Sequence, residues 1–481
     1  MKIETIDFKI NNIKNVLGSS APVKVKNISI GNDPSIQAAI IYIDGLVDKN
    51  IINRDILNPL MIQITNSIEL NSDTPKFLCS NYITAECSFI KDNTEEVSKN
   101  IKNGNTLLLI ENIDYYVIID TNGGAIRPVS DPINETSLRG SRDGFVENLE
   151  VNISLLRRYI KDPNLSIEKL VVGRRSQTDL ALVYIKDLVN TEALDELRER
   201  INAVDVDSIT GIGSLQEFID ENTYSIFPMC LSTERPDRVT PSIMEGRIAV
   251  ILNGSPFVLT LPSVFVEFFH AVEDYNEKTI SANIIRFLRY LSVLLVITLP
   301  SIYLTLIKYN GELIPIEFVV PVVQSRIGIS LSPFIEILIL EILMELLREG
   351  GLRLPSKIAQ TLSIVGGIII GNAAVQSNMV SPTTLLVIGI TIIASFGVPT
   401  VDMSISIRLL RFPMLFLANS MGILGIATGY TLLIIHLSSL ENFGVPYMAF
   451  NMNDLKDTFI RTPLWKMSSH GNSLEPVITH F

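Results

Sequence analysis

Apolar positions follow two rhythms along the chain, and the change falls near residue 280. Before it, short runs of strand length alternate with stretches of helical period, and charges are spread throughout. After it, from Phe287 to Leu440, long apolar segments are broken by glycine or proline and carry charges only in a few places. A helix needs roughly 20 predominantly apolar residues to cross a bilayer, and candidates lie at 287–307, 362–378, 385–398 and 412–437. The segment at 312–326 is too short and too rich in proline to span, and reads as re-entrant or interfacial. The segment at 333–348 would be about 24 Å long as a helix, marginal for a span.

The polar part reads as strands and helices in a repeated order. VKNISIG and QAAIIYIDGLVD are strands, followed by a helical ILNPLMIQI. EEVSKNIKNG is a short helix ending at Gly104, and TLLLIENIDYYVIID is a β-hairpin turning at Glu111 and Asn112. Setting Gly31 on Gly173 defines an offset of 173 − 31 = 142. That offset brings Ala39 onto Ala181, Tyr42 onto Tyr184 and Ile43 onto Ile185. Without a gap it also sets Val97 on Val239, Ile101 on Ile243, Gly104 on Gly246 and Asn112 on Gly254. Two matched regions at one offset point to a duplication.

The expected fold class is therefore an α/β cytoplasmic region of two repeated subdomains followed by an all-α polytopic membrane domain. The expected domains are an N-terminal extension (1–22), α/β subdomain 1 (23–130) and a connecting helical segment (131–165). Subdomain 2 (166–270), a membrane domain of about five spans (271–440) and a C-terminal tail (441–481) follow. The connecting segment carries Phe145, Leu149, Ile153, Leu156 and Ile160 at helical spacing, with charges on the opposite face.

Composition narrows the function classes. The net charge of −12 and the lack of a basic run argue against nucleic acid as a partner. Three cysteines without zinc spacing and four scattered histidines complete no metal site, so neither a metal nor a cofactor is expected. The N-terminus has no apolar h-region, which places the polar portion in the cytoplasm. No Ser-His-Asp set or phosphate loop appears, so an enzyme is not expected.

Candidate functional residues lie in the apolar half. Pro300, inside the first span, is a candidate kink and hinge. Glu336, Glu341 and Glu345 sit at membrane depth, where a carboxylate is costly unless it faces water, a partner or a pore. The plain alternative is an interfacial helix with Glu345 paired to Arg348. Ser363, Gly367, Gly371, Ala374 and Asn378 form one small or polar stripe, suited to close helix packing or to a narrow pore lining. Gly425 and Gly429 make a second spaced pair. Counting basic residues favours five crossings, with Arg408 and Arg411 as loop cations on the cytoplasmic side.

Several pieces, in order, resemble the A subunit of the GerA-type spore germination receptors. They include YIDGLVD at 42–48, GSRDGFVENLEVNISLLRRYIKDPNL at 140–165, VGRRSQTDLALVYI at 172–185, TERPDRV at 233–239 and EGRIAVILNGSPFVL at 245–259. ELLREGGLRLP, QTLSIVGGIIIGNAAV, RLLRFP and FGVPYMAF follow in the apolar half. The resemblance implies a multi-pass subunit of a nutrient-sensing receptor in the inner membrane of a dormant bacterial spore, with its N-terminal domain on the core side. It implies a homo-oligomer that conducts ions and lies in membrane lipid. The implied partners are a transporter-like B subunit and a lipoprotein C subunit. It supplies no catalytic residues. A sister branch accompanies the dipicolinic-acid release machinery and stands as the alternative, as does a secondary transporter, although no inverted repeat is found in 287–440.

Overall fold

A computed structural model of the chain describes residues 6–17, 23–31, 36–43, 46–64, 68, 70–91, 93–123, 129, 131–135, 137, 139–353, 371–448 and 460–463. The chain divides into two compact units, residues 1–127 and 128–481.

The first unit is one antiparallel sheet covered on both faces. Its strands are β1 (Val23–Ile30), β2 (Ile36–Ile43), β3 (Cys87–Lys91), β4 (Thr106–Ile110) and β5 (Tyr115–Ile119), in the order β1-β2-β4-β5-β3. Side chains alternate across a strand. Ala38 and Ile40 therefore join a core with Ile52, Ile56 and Leu60, from a wide helical segment at 49–63, and with Leu78 from helix α2 (Thr74–Asn81). Their neighbours Ala39 and Ile41 face Ile10, Ile13 and Leu17 of α1 (Ile6–Leu17) and Val97 and Ile101 of α3 (Thr94–Lys102). Burial on both faces explains why these strands read as nearly continuous apolar runs.

The second unit begins with the same layout. Helix α4 (Leu149–Tyr159) precedes β6 (Leu165–Val172) and β7 (Thr178–Ile185), and α5 (Thr191–Asn202) and α6 (Ile212–Ile219) follow. Next come β8 (Leu231–Thr233), α7 (Pro236–Met244), β9 (Ile248–Leu252) and β10 (Val258–Leu261). The strand order is β6-β7-β9-β10-β8, which matches the first sheet position for position. The registers match as well: Val23 pairs with Ile43, and Leu165 with Ile185, each number larger by 142. The hairpin turn between β4 and β5 lies at 111–114, as its sequence indicates. The repeat also reaches further back than the strand pattern shows, because α1 and α4 each cover the equivalent face of their sheet.

One position in each repeat shows why the glycines coincide. Gly104 and Gly246 follow α3 and α7 with φ of +93° and +91°. An added Cβ would lie 2.7 Å from the Leu46 carbonyl oxygen and 2.5 Å from that of Leu188. A left-handed backbone costs an L-residue about 1–2 kcal/mol before any clash. Gly246→Ala should therefore lower the stability of the full chain by about 2 kcal/mol or more. Its urea midpoint read by intrinsic fluorescence checks this, and an unchanged midpoint would refute the shared-turn account.

The rest of the second unit is helical. Helix α8 (Thr279–Lys308) has 30 residues and is the one described helix long and apolar enough to cross a membrane. It runs unbroken through Pro300. Then come α9 (Ile316–Arg326), α10 (Pro333–Leu352), α11 (Pro382–Ser395), α12 (Val401–Met421) and α13 (Ile423–Ser439). The helix expected at 362–378 lies largely outside the described residues, as do Ser363 and Gly367.

The apolar run at 412–437 is two helices rather than one. The break is Gly422, at φ +60°, and α12 starts well before the run, so Arg408 and Arg411 are helical residues and not loop cations. Gly425 and Gly429 let α13 fold back tightly on α12. A Cβ on Gly425 would lie 2.0 Å from the Leu417 carbonyl oxygen, and one on Gly429 2.6 Å from the Met414 sulfur.

Beyond α13 the chain returns to the second sheet. Phe443 joins that sheet's core, and its amide donates to Glu221 at 2.8 Å. Asn442 donates to the Met229 carbonyl, and the Tyr447 hydroxyl to that of Pro228 at 2.7 Å.

Candidate functional site

The carboxylate-bearing helix α10 starts at Ser332, with Pro333 at its first position, where proline loses no hydrogen bond. Glu336, Ile337, Leu340 and Glu341 are buried, while Ile335, Ile339, Ile342 and Leu346 are exposed. The charged stripe thus points into the helical bundle, and the apolar stripe points away from it. Helix α12 presents Met403, Ile407, Arg411, Met414 and Ala418 to the interior at helical spacing.

Where these stripes meet, five ionic side chains gather. Arg411 Nη1 lies 2.6 Å from Glu341 Oε2, and Arg411 Nη2 donates to Glu345 Oε1 at 2.7 Å. Arg408 Nε sits 3.3 Å from the same Glu345 oxygen, and its Nη1 donates to Ser404 Oγ at 3.0 Å. Arg348 does not form the short-range pair with Glu345. It donates to Ser395 Oγ of α11 at 3.0 Å and lies over the Phe396 ring. Side chains of Glu341 and Arg411 are 1% and 3% exposed, so their attraction is little weakened by solvent. Three guanidiniums face two carboxylates, which ties α10, α11 and α12 together.

Glu336 belongs to a second cluster at the other end of α10. It accepts from Arg326 Nη1 at 2.9 Å and from the Ser381 amide. Ser381 in turn caps α11 by accepting from the Thr384 amide. Tyr303 of α8 shares its hydroxyl with Thr383 and Thr384. Of the small-residue stripe, Gly371 is in ordinary contact range of Leu385, its Cβ position being 3.4 Å from a methyl carbon. Asn378 ends its helix at φ +54°, and its carbonyl accepts from the Ser330 amide at 3.4 Å. Pro300 is buried within α8.

A third charged group holds the entrance of α8 to the second sheet's domain. Asp274 accepts from Arg289 Nη1 at 2.8 Å and Nη2 at 3.2 Å, and Arg286 Nη2 is 3.4 Å away. Arg289 also donates to the Phe269 carbonyl, and Thr400, just before α12, donates to that of Phe268 at 2.8 Å. The tail reaches the same place: the Arg461 amide donates to Asn283 at 2.7 Å, and its guanidinium to the Glu277 carbonyl at 2.8 Å.

Reading the carboxylates alone missed their partners. Glu341 and Glu345 are four residues apart, and Arg408 and Arg411 three, so each pair lies on one helical face. That complementarity was the available signal. Among the described residues, no group of three or more His, Cys, Asp or Glu side chains could hold a metal ion.

Comparison with known proteins gives a consistent pattern. The profile of the GerA family, described as Bacillus/Clostridium GerA spore germination protein, matches residues 11–472. Spore germination protein KA of Bacillus subtilis (strain 168) is 38% identical over 458 residues, covering 94% of this chain and 83% of its own. Spore germination protein B1 of the same organism is 33% identical over 468 residues, 96% of both chains. Spore germination protein GerLA of Bacillus cereus is 33% identical over 456 residues, 94% of this chain and 92% of its own. The crystal structure of the N-terminal domain of the A subunit of the Bacillus megaterium spore germinant receptor GerK3 aligns at 27% identity. That alignment covers 55% of this chain and 99% of the other, with a TM-score of 0.23, and adds nothing to the fold described above.

Proposed function

The chain belongs to the GerA spore germination protein family, and from that premise we propose that it is the A-type membrane subunit of a nutrient-sensing germination receptor which oligomerises into a ligand-gated ion channel. The observation that carries this reading is the ionic cluster of Glu341, Glu345, Arg348, Arg408 and Arg411, in which Glu341 and Arg411 are buried. Ionisable residues at membrane depth are costly and mark ion paths or moving charged elements. Here the cluster acts as a latch: nutrient binding to a partner shifts an equilibrium between arrangements in which α10 and α12 are joined or apart. The stripe of Ser363, Gly367, Gly371 and Asn378, with Pro300 as hinge, serves as the candidate path lining.

The same reading sets the chain in the spore inner membrane as a multi-pass protein with an even number of crossings. The segment after α13 packs on the second sheet's domain, where α8 also starts. Helices α8 and α12 leave that side, and α10, α11 and α13 return to it. The span expected from sequence at 362–378, which lies largely outside the described residues, would supply one further passage. Beside the sequence expectation of about five spans, it is the arginine-bearing α12, a helix rather than a loop, that adds a passage. Homo-oligomerisation and work with transporter-like B and lipoprotein C subunits follow from the family reading.

The deciding experiment purifies the full chain in detergent, measures its oligomeric mass by light scattering, and reconstitutes it with its B and C partners in vesicles. A closed oligomer and nutrient-dependent ion flux are expected. A monomer, or vesicles that accumulate solute against a gradient, would overturn the channel.

A further inference from the structure

The two repeats part in length where a helix feeds the edge strand. In the first, residues 82–86 join α2 to β3; in the second, residues 220–230 join α6 to β8. In repeated folds an insertion in one copy maps to a loop, often on the binding face. The shorter connector turns its aromatic inward, and Tyr82 packs against the first sheet's core. The longer one turns Tyr224 outward, where it is wholly exposed, with Ile226 nearly half exposed beside it. Its shape is fixed by hydrogen bonds. The Ser225 amide donates to the Asn222 carbonyl at 2.9 Å, and the Phe227 amide to Ser225 Oγ at 3.1 Å. Phe227 itself is buried between Phe265, Tyr447 and the helical bundle. Residues 222–228 carry no charge. The acids just before them are engaged within the protein, Asp220 accepting from the Cys230 thiol at 3.3 Å and Glu221 from the Phe443 amide at 2.8 Å.

This turn sits on the start of α12. Ser406 Oγ donates to the Ile226 carbonyl at 2.5 Å. Ser406 lies about 8 Å along the helix axis from Val401, the first residue of α12. The helix is inside out for a water-soluble fold. Arg411 is buried, while Val401, Ile405, Leu409, Pro413 and Phe416 form an exposed apolar stripe that starts at the first residue. With 21 residues α12 is about 30 Å long, the thickness of the hydrocarbon core, so as a span it has no length to spare. Its first turns then lie at the edge of that core, and the turn bonded to Ser406 lies there with them. We propose that residues 222–226 are an interfacial anchor, with Tyr224 and Ile226 inserted into phospholipid at the headgroup boundary beside the second sheet's domain. The inference rests on the reading of α12 as a membrane span. Tyrosine suits the place, because its ring enters the apolar side while its hydroxyl stays wet. Anchoring here fixes the depth at which α12 starts, and with it the level of Arg408 and Arg411.

The test uses the full chain in vesicles of phosphatidylcholine and phosphatidylglycerol. Trp465→Phe removes the single native tryptophan, and reporters are then introduced one at a time by Tyr224→Trp and by Leu409→Trp, the latter on the exposed stripe deeper along α12. Both are read in lipid brominated near the headgroup and in lipid brominated near the methyl end of the chains. The Tyr224→Trp reporter should lose more of its emission to the shallow bromines, and the Leu409→Trp reporter more to the deep ones. Quenching at Leu409→Trp with none at Tyr224→Trp would overturn the anchor and leave the span standing, with water or another protein covering the turn. Deep quenching at Tyr224→Trp would equally overturn a boundary position. No quenching at either site would remove α12 from the bilayer, and the anchor with it.

Discussion

Arg411→Met should either deplete the protein from the membrane or release ions from spores without nutrient. The side chain is 3% exposed and reaches both Glu341 and Glu345. Removing it leaves Glu345 with Arg408, but takes from the buried Glu341 the guanidinium 2.6 Å away. Breaking a buried pair from one side costs about 3–5 kcal/mol, because the remaining charge keeps its desolvation penalty. That is a large part of the stability of an ordinary domain. The double variant Glu341→Gln with Arg411→Met removes the stranded charge as well and should recover most of the loss. Comparing both single variants with the double one isolates the pair. The measurements are protein level in the membrane fraction and ion release with and without nutrient. A normal level with unchanged release in Arg411→Met would remove the latch from the mechanism.

The uneven legibility of this chain has a physical cause. Both sheets could be read because each buries two faces, so their strands stand out as apolar runs, and because the duplication repeats every signal 142 residues later. Helix α8 was equally plain, since it is long and apolar. Helix α12 was not. Asp402, Arg408 and Arg411 lower its apolar count, and a one-dimensional reading assigns such a stretch to a loop. Its charges are compensated by residues more than 60 positions away on α10, a fact available only after folding. The carboxylates stand out in sequence as costly charges in an apolar run, while the orientation of Glu336 and Glu341 toward the protein interior depends on partners that periodicity does not reveal.

The second large effect concerns the joint between the second sheet's domain and the long apolar helix α8. Asp274→Asn should weaken the hold of the second sheet's domain on α8, by about 3–5 kcal/mol at neutral pH, since Arg286 and Arg289 keep their charge while the carboxylate is gone. The pH dependence has a definite sign. Burial pushes the Asp274 carboxyl up, but the hydrogen bonds and charge of Arg289, the Ala271 amide and Arg286 outweigh it, and the folded value falls below the ordinary 3.8. A depressed carboxyl contributes stability that is complete above the unfolded value and is lost as pH falls through the folded one. The advantage of the natural chain over Asp274→Asn should therefore be constant from neutral pH down to about pH 5, and should shrink below about pH 4. Thermal unfolding of both chains in one detergent across that range reads it out. A gap that stays constant into strong acid would show that Asp274 acts by packing rather than by charge. Because α8, α12 and the tail all anchor within a few residues of this carboxylate, the same substitution should also blunt the ion release evoked by nutrient while leaving oligomeric mass unchanged.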